Sequence, residues 1–162
     1  AAILTRVTDR PLLEVARDWL GPVPGFRITG WDRDPQGIYL GGNQMAMSTR
    51  SLLAFGTMYA QGGQAGGRQI VPADWIAQSW QRRTASIFSG QGYGYGWFLG
   101  RMAGRDVRYG WGYGGQMIYV FPQAGRRPAM AIAMTSDPDL PSGRTGHRDD
   151  LHALAGRIAA AV

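Results

Sequence analysis

The sequence predicts an α+β fold: flanking helices first, then an antiparallel sheet meander, then a C-terminal helix packed on the sheet. Three observations predict it. Apolar residues recur at helical spacing through most of the first half. Four glycine-separated runs in the second half have strand composition. The closing HRDDLHALAGRIAAAV returns to helical spacing. With 162 residues and no linker of distinct composition, residues 1–162 read as a single domain.

The elements follow in order. Ile3, Leu4 and Val7 share a face of a first helix. Pro11 suits a first helical turn, and Leu12, Val15, Ala16 and Trp19 continue at helical spacing. GPVPG at residues 21–25 ends that helix. Residues 26–47 are glycine-dotted and read as an irregular surface excursion. Ser48 is a good N-cap for the next helix, whose stripe is Leu52, Phe55 and Tyr59 and whose stop is Gly62 with Gly63. Pro72 opens a further helix through Trp75, Ile76 and Trp80. The strands are GYGYGWFLG, RDVRYGW, QMIYVFP and RPAMAIAMTS, with connections RMAG and QAGR of hairpin length. The last of them alternates Met130, Ile132 and Met134 with alanines, which fits a strand with small neighbours on one side. The final helix places Leu151, Leu154, Ile158 and Val162 on its apolar face.

Composition narrows the function classes. There are no cysteines, so disulfides, thiolate metal sites and thiol nucleophiles are excluded. All 17 basic residues are arginine, which excludes a Schiff-base lysine or a lysine general base from this chain. The net charge of +6 comes from scattered arginines, paired only at Arg82–Arg83 and Arg126–Arg127, so a nucleic-acid partner is not expected. No apolar run approaches the roughly 20 residues of a membrane span. The N-terminal AAILTRVTDRP lacks the charged and apolar regions of a signal peptide.

Few residues advertise chemistry. No serine lies in a G-x-S-x-G elbow or has a lysine three positions on, and Ser48 is better explained as a cap. His147 and His152, five positions apart, point about 140° away from each other on a helix, so they do not form a metal pair. Acids near a helix N-terminus account for Asp149 and Asp150. TSDPDLPSG lacks the glycine and final glutamate of a calcium loop and reads as a turn. The run YGWGYGGQMIYVFP, residues 109–122, leaves three readings open. Its glycines allow a ligand near the backbone. Tyr93, Tyr95, Trp97, Tyr109, Trp111 and Tyr113 form a stacking platform. Or these are core aromatics with glycine turns.

Several segments together resemble a known family. GGNQMAMSTRSLLAFGTMYAQGG, GGRQIVPADWIAQS, GYGYGW and YGWGYGGQMIYVFP, followed by AMAIAMTS, are similar to the C-terminal half of serine hydrolases of the beta-lactamase-like family. That family includes class C beta-lactamases, penicillin-binding D,D-peptidases, esterases and 6-aminohexanoate-dimer hydrolases. The glycine-glycine-glutamine before an apolar strand points to the hydrolase and esterase branch. The resemblance covers most of the chain. One departure is Ser51, where relatives carry an acidic residue, and it bears on helix packing. The larger departure is the absence of the family's Ser-x-x-Lys and Tyr-x-Asn motifs, which in relatives precede the matched region.

The resemblance implies a partial beta-lactamase-like fold and an acyl-enzyme chemistry on amide or ester bonds. It matches the family's site-lining Lys-Thr-Gly-like triplet to Gly110, Trp111 and Gly112. The backbone N–H of Tyr113 then corresponds to one of two oxyanion-hole donors. No cofactor and no metal is implied. The chain alone is expected to be inactive, and to need the N-terminal half of the same protein or a second copy as partner. The family leans toward a periplasmic or secreted location, with the cytoplasm left open. The alternatives are a non-catalytic module that binds a glycan or cell-wall peptide, and a degenerate homologue acting as an interaction scaffold.

Overall fold

The computed structural model describes all residues 1–162. Helices α1 (Ala2–Thr8) and α2 (Leu12–Leu20) lead into strands β1 (Ile28–Trp31) and β2 (Met45–Met47), which pair with each other. Helix α3 (Thr49–Ala60) follows. A short hairpin, β3 (Gln64–Ala65) with β4 (Arg68–Gln69), leads to α4 (Ala73–Ser79). The remaining strands are β5 (Thr84–Ala85), β6 (Gly92–Tyr93), β7 (Phe98–Met102), β8 (Arg105–Trp111), β9 (Met117–Phe121) and β10 (Met130–Met134). They form one antiparallel sheet in the order β10-β9-β8-β7-β6-β5. Helices α5 (Ser142–Thr145) and α6 (His147–Ala160) close the chain. No helix is long and apolar enough to cross a membrane.

The expected meander is present, and each face of its sheet carries a helix. β9 shows why its sequence is continuously apolar. Ile118 and Val120 pack with Met58, Tyr59 and Trp97 on the α3 side. Met117, Tyr119 and Phe121 pack with Leu151, Ala155 and Ala159 of α6 on the other. A strand buried on both faces has no polar side to show. On β10, Ala131 receives Gly56 of α3, where an added Cβ would come within 3.2 Å of the Ala131 Cβ and 3.0 Å of Ile118 Cδ1. The small neighbours expected from the alternation are therefore this glycine and the alanine it meets.

α3 is capped as its sequence predicts. The Ser48 hydroxyl accepts from the Ser51 N–H at 3.1 Å. At the other end Gly62 N–H bonds Tyr59 O and Gly63 N–H bonds Met58 O, both glycines at positive φ, which is the Schellman ending. Ser51 is buried, and its hydroxyl accepts from Arg27 N–H at 3.0 Å, so it ties the chain entering β1 to α3.

Three expectations are corrected. Residues 26–47 are not simply irregular, because β1 and β2 pair and bury Phe26 and Ile28. The α1 stripe forms on a helix but covers nothing, with Ile3 79% exposed. In α6 the buried face is Leu151, Ala155 and Ala159, while Leu154, Ile158 and Val162 are exposed. Small side chains let the helix approach a sheet face already filled by tyrosines.

Candidate functional site

The predicted site begins where β8 ends. Gly112 N–H bonds Gln116 O at 2.8 Å and Gly115 N–H bonds Gly112 O at 3.0 Å, so residues 112–116 turn the chain tightly into β9. The glycines here make room for protein atoms. A Cβ on Gly114 would lie 2.3 Å from Asp137 O and 2.5 Å from Pro138 Cα. A Cβ on Gly110 would lie 2.9 Å from Ile118 Cγ2, and Gly115 has φ of 83°. Gln116 explains the residue after the paired glycines. Its side chain donates to Ser136 O at 2.8 Å and accepts from Ser136 N–H at 3.2 Å, clamping the chain that leaves β10.

Trp111 and Tyr113 face a cleft of about 850 Å³. Its other walls come from distant segments. The β5–β6 connection supplies Ile87 and Phe88, which are 91% and 80% exposed. β6 and β7 supply Tyr93 and Phe98, and the α5–α6 region supplies Arg144 and Arg148. Tyr93 meets Phe98 edge-on at 4.8 Å, and Phe98 stacks on Tyr109 at 5.0 Å beneath the floor.

Tyr113 is held at two points and open at a third. Its carbonyl accepts from Ser142 N–H at 3.0 Å and from the Ser142 hydroxyl at 2.8 Å. The same hydroxyl accepts from Trp111 Nε1 at 3.1 Å. Close to Ser142, Gly143 leaves no space for a Cβ, which would stand 2.7 Å from Trp111 Cζ2. The Tyr113 N–H has no hydrogen-bond partner in the chain, and its side chain is 63% exposed. The result is a residue anchored through its carbonyl at the cleft, with its own N–H left as an unused donor.

The wall carries positive charge. Arg148 lies 4.8 Å over the Trp111 ring and pairs with Asp149 at 2.9 Å. Arg144 has no acidic partner, and no acid lines the cleft. Behind the cleft is a buried phenol cluster. Burial pushes the Tyr109 hydroxyl up to about 12, against an opposing pull from Arg148. Tyr119 is raised by burial and by Tyr109 beside it. Tyr119 Oη lies 3.0 Å from His152 Nδ1, and burial holds that imidazole below its usual range.

Of the predicted triplet, Trp111 lines the cleft with Tyr113, while Gly110 and Gly112 do not and instead serve strand packing and the turn. The six aromatics of the platform divide. Trp97 and Tyr109 are core, Tyr93, Trp111 and Tyr113 line the cleft, and Tyr95 stacks on Trp75 outside it. Sequence reasoning missed Ile87, Phe88, Arg144 and Arg148, because no motif links four segments that meet only in three dimensions. It also missed that Ser136 Oγ lies 2.8 Å from His147 Nε2. That is a nucleophile-to-base distance, but His147 Nδ1 has no orienting partner and neither residue lines the cleft. The pair straps the chain after β10 to the start of α6. Compared with known proteins, the chain matches no family model and no curated protein.

Proposed function

We propose that this chain forms the oxyanion-binding and substrate-facing wall of a serine hydrolase of the beta-lactamase-like type, acting on amide or ester bonds. The observation that carries the reading is that Tyr113, anchored through its carbonyl to Ser142 at an aromatic cleft, leaves its N–H without a partner. A serine supplied by a Ser-x-x-Lys segment outside these 162 residues attacks the substrate carbonyl. The Tyr113 N–H donates to the developing oxyanion, together with the serine's own amide. One such donor contributes about 2.7–4 kcal/mol to the transition state. The carbonyl re-forms as the alcohol or amine leaves, and water then releases the acyl group. Trp111, Phe98 and Phe88 contact the apolar part of the substrate, and Arg144 and Arg148 favour one that carries a negative charge.

Hydrolysis of a p-nitrophenyl ester tests this. The chain alone gives no turnover, and adding the segment that carries Ser-x-x-Lys restores it. Ester turnover by the chain alone overturns the reading. Binding of a glycan or cell-wall peptide with no turnover after reconstitution would identify a binding module instead.

A further inference from the structure

We propose that the substrate carries a long apolar group, which runs across the sheet away from the oxyanion donor and ends against Ile87 and Phe88. The inference rests on the hydrolase reading above and adds a substrate class to it. The strand registers carry it. Thr84 on β5 pairs with Tyr93 on β6, Tyr93 with Phe98 on β7, and Phe98 with Tyr109 on β8. Residues directly opposite in antiparallel strands point to the same face, and Trp111, two positions beyond Tyr109, shares that face. Thr84, Tyr93, Phe98 and Trp111 all line the cleft. The cleft is therefore a trough laid across four strands, and three strand spacings make it roughly 14 Å long.

The two ends of the trough differ. At the β8 end stand Tyr113 and the two arginines. Arg148 lies 4.8 Å over Trp111, and Arg144 follows Gly143, which abuts the same ring. At the β5 end stand Ile87 and Phe88, and the lining residues of β5 and its connection to β6 carry no charge. Between the ends the floor is aromatic, with the Phe98 ring 6.1 Å from Trp111 and 4.8 Å from Tyr93. A molecule that sets its carbonyl at Tyr113 and fills the trough is thus polar at one end and apolar along its length.

Ile87 and Phe88 are held out in place. Ser86 N–H bonds Gln91 O and Gly90 N–H bonds Ser86 O, each at 2.8 Å, and Phe88 N–H bonds Ser86 Oγ at 3.2 Å. The Gln91 side chain accepts from the Tyr109 hydroxyl, which ties this short loop to the core. The loop so fixed presents two large apolar side chains, 91% and 80% exposed, to the cleft. Exposed apolar surface continuous with an aromatic floor marks a ligand groove.

Two pairs of esters test the proposal on the reconstituted enzyme: p-nitrophenyl octanoate against p-nitrophenyl acetate, and octyl acetate against methyl acetate. The first pair lengthens the acyl side and the second the alcohol side. The enzyme favours the long member of one pair by about tenfold or more in kcat/KM. Ile87→Ser/Phe88→Ser lowers that ratio by about tenfold or more, and circular dichroism confirms that this exposed-site variant folds. Equal kcat/KM for long and short members in both pairs overturns the proposal and leaves the hydrolase reading standing. So does an unchanged ratio in a variant that needs more of the Ser-x-x-Lys segment for half-maximal turnover, since the two side chains then seat that segment. No turnover of any ester overturns both readings.

Discussion

The Trp111 indole N–H donates to the Ser142 hydroxyl at 3.1 Å, although the two residues lie 31 positions apart. Ser142 passes that connection to the Tyr113 carbonyl at 2.8 Å, so one small side chain ties together Trp111 and Tyr113, two of the residues that line the cleft. Ser142 is buried, and water cannot replace it. Ser142→Ala leaves the indole N–H without a partner, while the Tyr113 carbonyl keeps its bond from the Ser142 N–H. The expected loss is about 1–3 kcal/mol, read from urea unfolding.

The glycines differ sharply in what a methyl group would meet. Gly114→Ala drives a Cβ into the Asp137–Pro138 backbone, which cannot move aside without shifting the turn. It costs more than about 3 kcal/mol, at the severe end for single substitutions. Gly156, in the middle of α6, has no atom within 4 Å of an added Cβ. Gly156→Ala therefore stabilises by roughly 0.5–1 kcal/mol. Thermal unfolding of the two variants separates these outcomes.

His152 gives the fold a dependence on pH. Its pKa is lowered in the folded chain, first by burial and then by Arg148, with Asp149 opposing. The unfolded imidazole takes up a proton near pH 6.5. Below that value the unfolded state binds more protons than the folded one, so stability falls as pH falls. Above it both states are neutral, and this contribution is flat. Urea midpoints at pH 7.5 and 5.5 should differ in that direction, and by less in His152→Asn.

The Ser136–His147 strap makes a further prediction. If the pair only joins the chain after β10 to α6, Ser136→Ala costs about 1 kcal/mol of stability. It leaves ester turnover by the reconstituted enzyme unchanged. Paired measurements of stability and turnover on this variant check both halves.

How far the sequence reveals this molecule depends on how local each cause is. The α3 cap at Ser48 and its glycine ending are set by adjacent residues and could be read directly. So could β9, whose apolar run reflects burial on both faces. The β1–β2 pair could not, because its strands are joined by a long connection whose pairing depends on Ile28 meeting Met47. The α6 face was misread because leucine and isoleucine outweigh alanine in any hydrophobic pattern. Packing against Tyr109 and Tyr119 reversed that order. Of the cleft, Trp111 and Tyr113 were marked by the run of aromatics alternating with glycine and by the resemblance to the family's triplet. Ile87, Phe88, Arg144 and Arg148 reach it through loop and helix geometry that no spacing encodes. The glycines of residues 110–115 stood out in sequence, yet their cause at Gly114 is the backbone of residues 137–138.

In the proposed hydrolase this chain supplies the wall and the oxyanion donor, while the nucleophile comes from elsewhere. Fluorophosphonate labelling of the reconstituted enzyme, followed by peptide mapping, tests it most directly. A single modified serine is expected, in the Ser-x-x-Lys segment, and none among the seven serines of this chain. A label on Ser136, beside His147, or on any other serine of these 162 residues would contradict it.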